Sequence, residues 1–233
     1  MRKTIKLATI FNIEIDINYS WFIIFGLVVF TLAQGYFPGT NPETSPASHW
    51  FMAIISAVLL FASLLMHELA HSMVAIHNNI PIHGITLFVF GGVAHMEKEP
   101  PSPRTEFMMA IAGPIMSFCL AFFFWYTTYL LSQLNAPSPF TAITHYLFII
   151  NLFVGIFNLI PGFPLDGGRI LRAILWHYQK DLKKATGIAS SLGKGFSLLL
   201  IAFGLYNLIT GSIISGIWLI FIGFFLQETA NTS

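Results

Sequence analysis

The amino-acid sequence predicts an all-α polytopic membrane protein with about six transmembrane helices and a small β element on the cytoplasmic side. Three observations carry that expectation. Hydrophobic residues make up 55% of the 233 and charged residues only 9%, against about 25% charged in soluble domains. The apolar residues gather into runs long enough to cross a bilayer, which needs about 17–25 residues each. The basic residues fall only in alternate connections between those runs.

Taken in order, residues 11–18 alternate apolar and polar side chains, Glu14 and Asp16 among them, which is the period of a short strand. The first spanning helix is expected from about Trp21 to Phe37 and the second from about Trp50 to Ile76. The stretch Ile80–Met96 holds Ile82, Ile85, Leu87, Val89 and Val93, interrupted by Gly91 and Gly92, and reads as a β-hairpin or re-entrant strand. Pro100, Pro101 and Pro103 then make an extended linker. Four more spans follow, at about Phe107–Leu131, Phe140–Ile160, Gly187–Ile209 and Ile213–Leu226. Only Thr210, Gly211 and Ser212 separate the last two.

Orientation comes from Lys and Arg. Arg2, Lys3 and Lys6 precede the first span; Lys98 and Arg104 lie between the second and third. Arg169, Arg172, Lys180, Lys183 and Lys184 lie between the fourth and fifth spans, and Lys194 is near the start of the fifth. All 11 therefore fall on one side, and the connections 38–49, 132–139 and 210–212 hold none. The positive-inside rule puts both termini in the cytoplasm of a multi-pass cell-membrane protein. No A-x-A-like site follows the run that begins at Trp21, so a cleavable signal peptide is not expected. The net charge of +1 gives no reason to expect a nucleic-acid partner, and Cys119, the sole cysteine, excludes an internal disulfide. The chain reads as a single membrane-embedded domain, 1–233, with no repeat and no room for a soluble domain.

The second span ends in chemistry. His67-Glu68-Leu69-Ala70-His71 is an H-E-x-x-H motif. Residues i and i+4 share a helix face, so both imidazoles can reach one metal. Glu68, about 100° further round the helix, can take a proton instead of binding the metal. Residues 51–66 carry no charge, which places three ionisable groups at membrane depth. Each costs about 2.5–3.5 kcal/mol there on insertion scales, an expense that points to function.

Catalytic zinc takes a third protein ligand. His77 stands at the spacing of three-His sites, but Val74 replaces the glycine that lets such a chain turn back. If the helix continues, His77 lies about 15 Å along the axis from His67. Glu97, Glu99 and Glu106 are a second option, although their Pro-rich connection reads as solvated. Asp166 is the third. It follows Pro161 and Pro164, which break the fourth span, and precedes Gly167 and Gly168, which permit tight turns. Broken backbone at membrane depth is tolerated where it lines a cavity or is buried in protein.

The motif His67-Glu68-Leu69-Ala70-His71 together with Asn158, Pro161 and Pro164-Leu165-Asp166-Gly167-Gly168-Arg169 resembles the site-2 protease family of intramembrane metalloproteases. Gly91-Gly92-Val93-Ala94 and Ala112-Gly113-Pro114 also resemble segments of that family. The resemblance implies one zinc per chain held by His67, His71 and Asp166, with Glu68 as general base. It implies that Asn158 holds the substrate or the developing oxyanion, and that the segment around Gly91 and Gly92 offers an edge to an extended substrate. The implied function is hydrolysis of peptide bonds in transmembrane segments of membrane proteins, in regulated intramembrane proteolysis. The implied partners are a membrane-spanning protein substrate and the bilayer; oligomeric state is left open. The 233 residues include no PDZ-like insertion and no pair of CBS domains, which resembles the compact subgroup. The alternative is a membrane metal-ion transporter, since intramembrane His and Asp also mark ion paths. A transporter would show further ligands along a route, whereas the motif gives one cluster with a non-ligand Glu.

Overall fold

A computed structural model describes residues 4–88, 91–96 and 98–232. The chain divides into two compact units, Met1–Glu99 with Ile115–Gly155, and Pro100–Pro114 with Ile156–Ser233.

The first unit opens with a hairpin. Strands β1 (Thr4–Ile10) and β2 (Ile13–Asn18) pair antiparallel. Phe11 and Asn12 turn between them with φ of 51° and 64°, the left-handed pair that matches the twist of a two-residue hairpin. Strand β2 then pairs parallel with β3 (Ile82–Phe88), and β3 pairs antiparallel with β4 (Gly91–Met96). The sheet order is β1-β2-β3-β4, so β4 is an edge strand. The alternation read at 11–18 is real: Ile13, Ile15 and Ile17 of β2 are buried, as are Ile82, Ile85 and Leu87 of the hairpin. The sequence reading did not anticipate β1 or the parallel pairing.

The first expected span is α1 (Ser20–Thr31), a π-helical turn over Leu32–Tyr36, and α2 (Phe37–Thr40). The second is α3 (Pro46–His77), 32 residues long. Ser45 caps it by accepting from Ser48 N, and Pro46 occupies the first turn, where no backbone donor is needed. It ends where Asn79 turns left-handed (φ 59°) and Ile80 N donates to Ala75 O at 3.0 Å, a helix-terminating arrangement. That stop returns the chain toward the sheet. Val29, Leu32, Ala33, Phe37, Met52, Ala53, Ala57, Leu60, Ile143, Tyr146 and Leu147 form the core of this unit. Lipid tails are as apolar as these side chains, so the cluster is held by packing, and its alanines let the helices approach.

Helices α4 (Pro103–Gln133) and α5 (Ser138–Asn158) contribute residues to both units. The second unit continues through the break 159–165 into α6 (Asp166–Gln179), α7 (Leu182–Ile209) and α8 (Ile213–Thr232). Helix α6 was not among the expected elements, and α7 starts before the expected Gly187. Gly204, Gly216 and Gly223 let α7 and α8 pack as a close hairpin: a Cβ on Gly204 would sit 2.9 Å from Gly216 O.

Among the described residues, Ser20–Thr40, Pro46–His77, Pro103–Gln133, Ser138–Asn158 and Leu182–Ile209 are long and apolar enough to cross a membrane. Helix α8 carries a shorter apolar stretch, Ser215–Thr229. Each of the six expected spans is thus a helix, in a polytopic helical membrane protein with a small sheet.

Candidate active site

In the first unit the two histidines of the motif are buried on α3 and converge. His67 Nε2 and His71 Nε2 lie 3.2 Å apart. Two imidazoles sharing a tetrahedral zinc at about 2.0–2.1 Å would bring their nitrogens to about 3.3 Å. The pair therefore fits that ion without rearrangement. The other nitrogen of His67, Nδ1, is 2.8 Å from the Ser117 hydroxyl of α4, and Ser117 is buried. A hydrogen bond at Nδ1 fixes the ring's orientation and leaves Nε2 to bind metal. The sequence reading passed over Ser117; its one signal is a lone hydroxyl shortly after Gly113-Pro114 in an apolar run.

Glu68 is half-buried on the neighbouring face of α3, against the backbone of β4. A Cβ on Gly92 would lie 2.5 Å from Glu68 Cγ and 3.2 Å from its Cδ. Only glycine lets the strand come this close. Gly91 begins β4 beside it. His77 is exposed at the end of an unbroken α3, about 15 Å of helix from His67, which removes it from this cluster. Asn151 of α5 donates to Leu147 O at 2.8 Å and to Ser63 Oγ of α3 at 3.4 Å.

In the second unit Asp166 is the buried first residue of α6. Asn158, half-buried, closes α5 on the other side of the break. The break is set by close backbone packing. A Cβ on Gly167 would lie 2.3 Å from the Leu159 and Ile160 carbonyl oxygens, and one on Gly162 would lie 2.6 Å from Gly193 Cα. Phe163 N donates to Ala189 O of α7 at 3.2 Å.

Glu106 corrects the sequence reading. It is not solvated but fully buried in the first turn of α4. Arg172 of α6 donates to its Oε1 from Nε at 2.7 Å and again from Nη2. An arginine-paired carboxylate is unsuited to a metal. Glu99 is exposed, and Glu97 lies outside the described residues.

A helical membrane protein whose H-E-x-x-H imidazoles converge on one helix has the makings of a membrane metallopeptidase. The chain belongs to peptidase family M50, matching it over residues 55–144 and 132–202. It is 42% identical over 233 residues to sll0528 of Synechocystis sp., all of this chain against 60% of that one. It is 36% identical over 210 residues to zinc metalloprotease MJ0392 of Methanocaldococcus jannaschii, 89% of this chain against 56% of that one. The chain thus spans a little over half the length of these relatives. The solved structure of the site-2 protease from Methanocaldococcus jannaschii superposes with a TM-score of 0.64 at 32% identity, covering 98% of this chain and 94% of that one.

Proposed function

We propose that this protein is an intramembrane zinc metalloendopeptidase that hydrolyses peptide bonds in transmembrane segments of membrane proteins, in regulated intramembrane proteolysis. One observation carries the reading: buried His67 and His71 present their Nε2 atoms 3.2 Å apart on an apolar, membrane-length helix, with Glu68 beside them. We assign one zinc per chain to His67, His71 and Asp166, a donor set of two imidazoles and a carboxylate that suits catalytic zinc. Bound zinc would supply Lewis acidity, making water a nucleophile near neutral pH and polarising a carbonyl.

The chain's own residues do the rest. Glu68 takes the proton of the attacking water and later delivers it to the leaving amine. Asn158 steadies the substrate or the developing oxyanion. Strand β4, as a sheet edge, pairs with extended substrate backbone. Family membership favours this reading over a metal-ion transporter.

Helix α3 is about 48 Å long at 1.5 Å per residue, longer than the bilayer's apolar core of about 30 Å. His67 sits about 15 Å from its C-terminal end, and we place the site within the bilayer, within reach of water from that end. We place that end, the sheet and both termini on the cytoplasmic side, from the Lys and Arg distribution.

The test compares the membrane proteome of cells carrying wild-type protein with that of cells carrying Glu68→Gln. A membrane-spanning protein should accumulate uncut in the variant. Identical proteomes, with both proteins expressed and zinc-loaded, would reject proteolysis.

A further inference from the structure

Buried charge is costly, and a buried ion pair is a poor stability device unless every polar atom is satisfied. The Glu106–Arg172 pair is not of that kind. Glu106 is fully buried, both Arg172 nitrogens contact Oε1, and Oε2 accepts no hydrogen bond among the described residues. An apolar pair would fill the same space without that penalty. What the pair does instead is geometric.

Arg172 lies on α6, six residues after Asp166, so about 9 Å further along the helix axis. Its guanidinium also reaches back over the ring of Phe163, 5.1 Å from the centroid. Phe163 belongs to the break and is itself held by Ala189 O of α7. Arg172 thus closes the stretch 163–172 on itself, with Asp166 inside the closed stretch. Glu106 anchors that closure to the first turn of α4, which is capped by the Ser102 hydroxyl accepting from Thr105 N.

We propose that Glu106 and Arg172 are positioning residues for Asp166: together they fix the rotation of α6 and the exit of the break, and so the direction of the Asp166 carboxylate. The proposal rests on the reading of Asp166 as a zinc ligand. Arginine suits the task because its planar fork keeps two nitrogens on the carboxylate while its face stacks on an aromatic ring. Lysine can do neither in the same way.

The test measures zinc affinity of the purified full chain in detergent, by competition with a chelator, alongside thermal unfolding. The first variant is Glu106→Leu with Arg172→Met, which removes both charges together. The second is Arg172→Lys, which keeps the charge without the fork and carries the test if the apolar pair does not fold. Each is made with Asp166 present and in an Asp166→Ala background. We expect the apolar pair to unfold no earlier than wild type and to bind zinc about 10–100-fold more weakly, the usual effect of losing a residue that orients a ligand. Arg172→Lys should show a smaller loss in the same direction. Neither should weaken binding further once Asp166 is gone. Wild-type affinity in a folded variant, or an equal loss with and without Asp166, overturns the positioning role alone. Unchanged affinity in Asp166→Ala by itself overturns the ligand assignment and the positioning role with it.

Discussion

The Ser117 hydroxyl of α4 stands 2.8 Å from Nδ1 of His67, on the side of the ring away from His71. The contact ties one imidazole of the motif to a second helix. With Nδ1–H donating to the hydroxyl, Nε2 is the nitrogen that presents its lone pair toward a metal. Ser117→Ala should therefore leave the fold intact and weaken zinc binding by about 10–100-fold, the range found when a ligand loses its orienting partner. Chelator competition on purified protein measures this. Wild-type affinity in the variant would reduce Ser117 to a packing residue.

Gly92 separates metal binding from proton transfer. A Cβ at that position would meet Glu68 Cγ at 2.5 Å, well inside van der Waals contact, so Glu68 or the strand must move. Neither imidazole is in that clash. Gly92→Ala should keep zinc and lose cleavage, by about 10²-fold or more if the displaced Glu68 can no longer act as base. The measurement is the ratio of bound zinc to turnover. Turnover equal to wild type would show that Glu68 has room to shift and still work.

The apolar runs and the H-E-x-x-H spacing were legible because they are local: hydrophobic length marks a span and a four-residue interval marks a helix face. The break at Pro161 and Pro164 was legible for the same reason. What escaped depends on distant partners. Glu106 sits near three prolines and looks solvated until Arg172 closes on it. Helix α6 was hidden because Gly167, Gly168 and its charges read as connection, although the glycines serve close packing against Leu159, Ile160 and Gly162. A lone Ser117 in an apolar helix signals nothing until its partner is known. The parallel pairing of β2 with β3 joins segments separated by the whole of α1 and α3, and no window of sequence contains both.

The third ligand can be tested against its rival. Helix α3 continues unbroken through Val74 to His77, which is exposed, so His77 is held away from His67. Asp166 is buried at the start of α6. Asp166→Ala should weaken zinc affinity strongly, and His77→Ala should leave it within experimental error. The reverse order would mean that α3 unwinds near its end when zinc binds.

The substrate, finally, should have to unwind before it is cut. A membrane helix hides its carbonyls in i to i+4 hydrogen bonds beneath a layer of side chains. Attack by water needs an extended and exposed peptide bond, and unpaired backbone in hydrocarbon costs several kcal/mol per group, roughly. Something must supply replacement partners. Strand β4 ends the sheet order and begins with Gly91 and Gly92, where the absence of side chains lets another backbone approach. Pairing there would offset part of the unwinding cost, and the substrate's own sequence sets the remainder. Gly or Pro near the scissile bond lowers that remainder by about 1 and 3 kcal/mol respectively relative to Ala, so such substrates should be cut faster and Leu- or Ala-rich ones slower. The measurement is a series of substrates differing only in helix propensity around the cut, assayed with one enzyme preparation in one lipid. Rates that ignore propensity, or that peak for the most stable helix, would mean that the enzyme acts on segments already extended and that β4 is not where the substrate pairs.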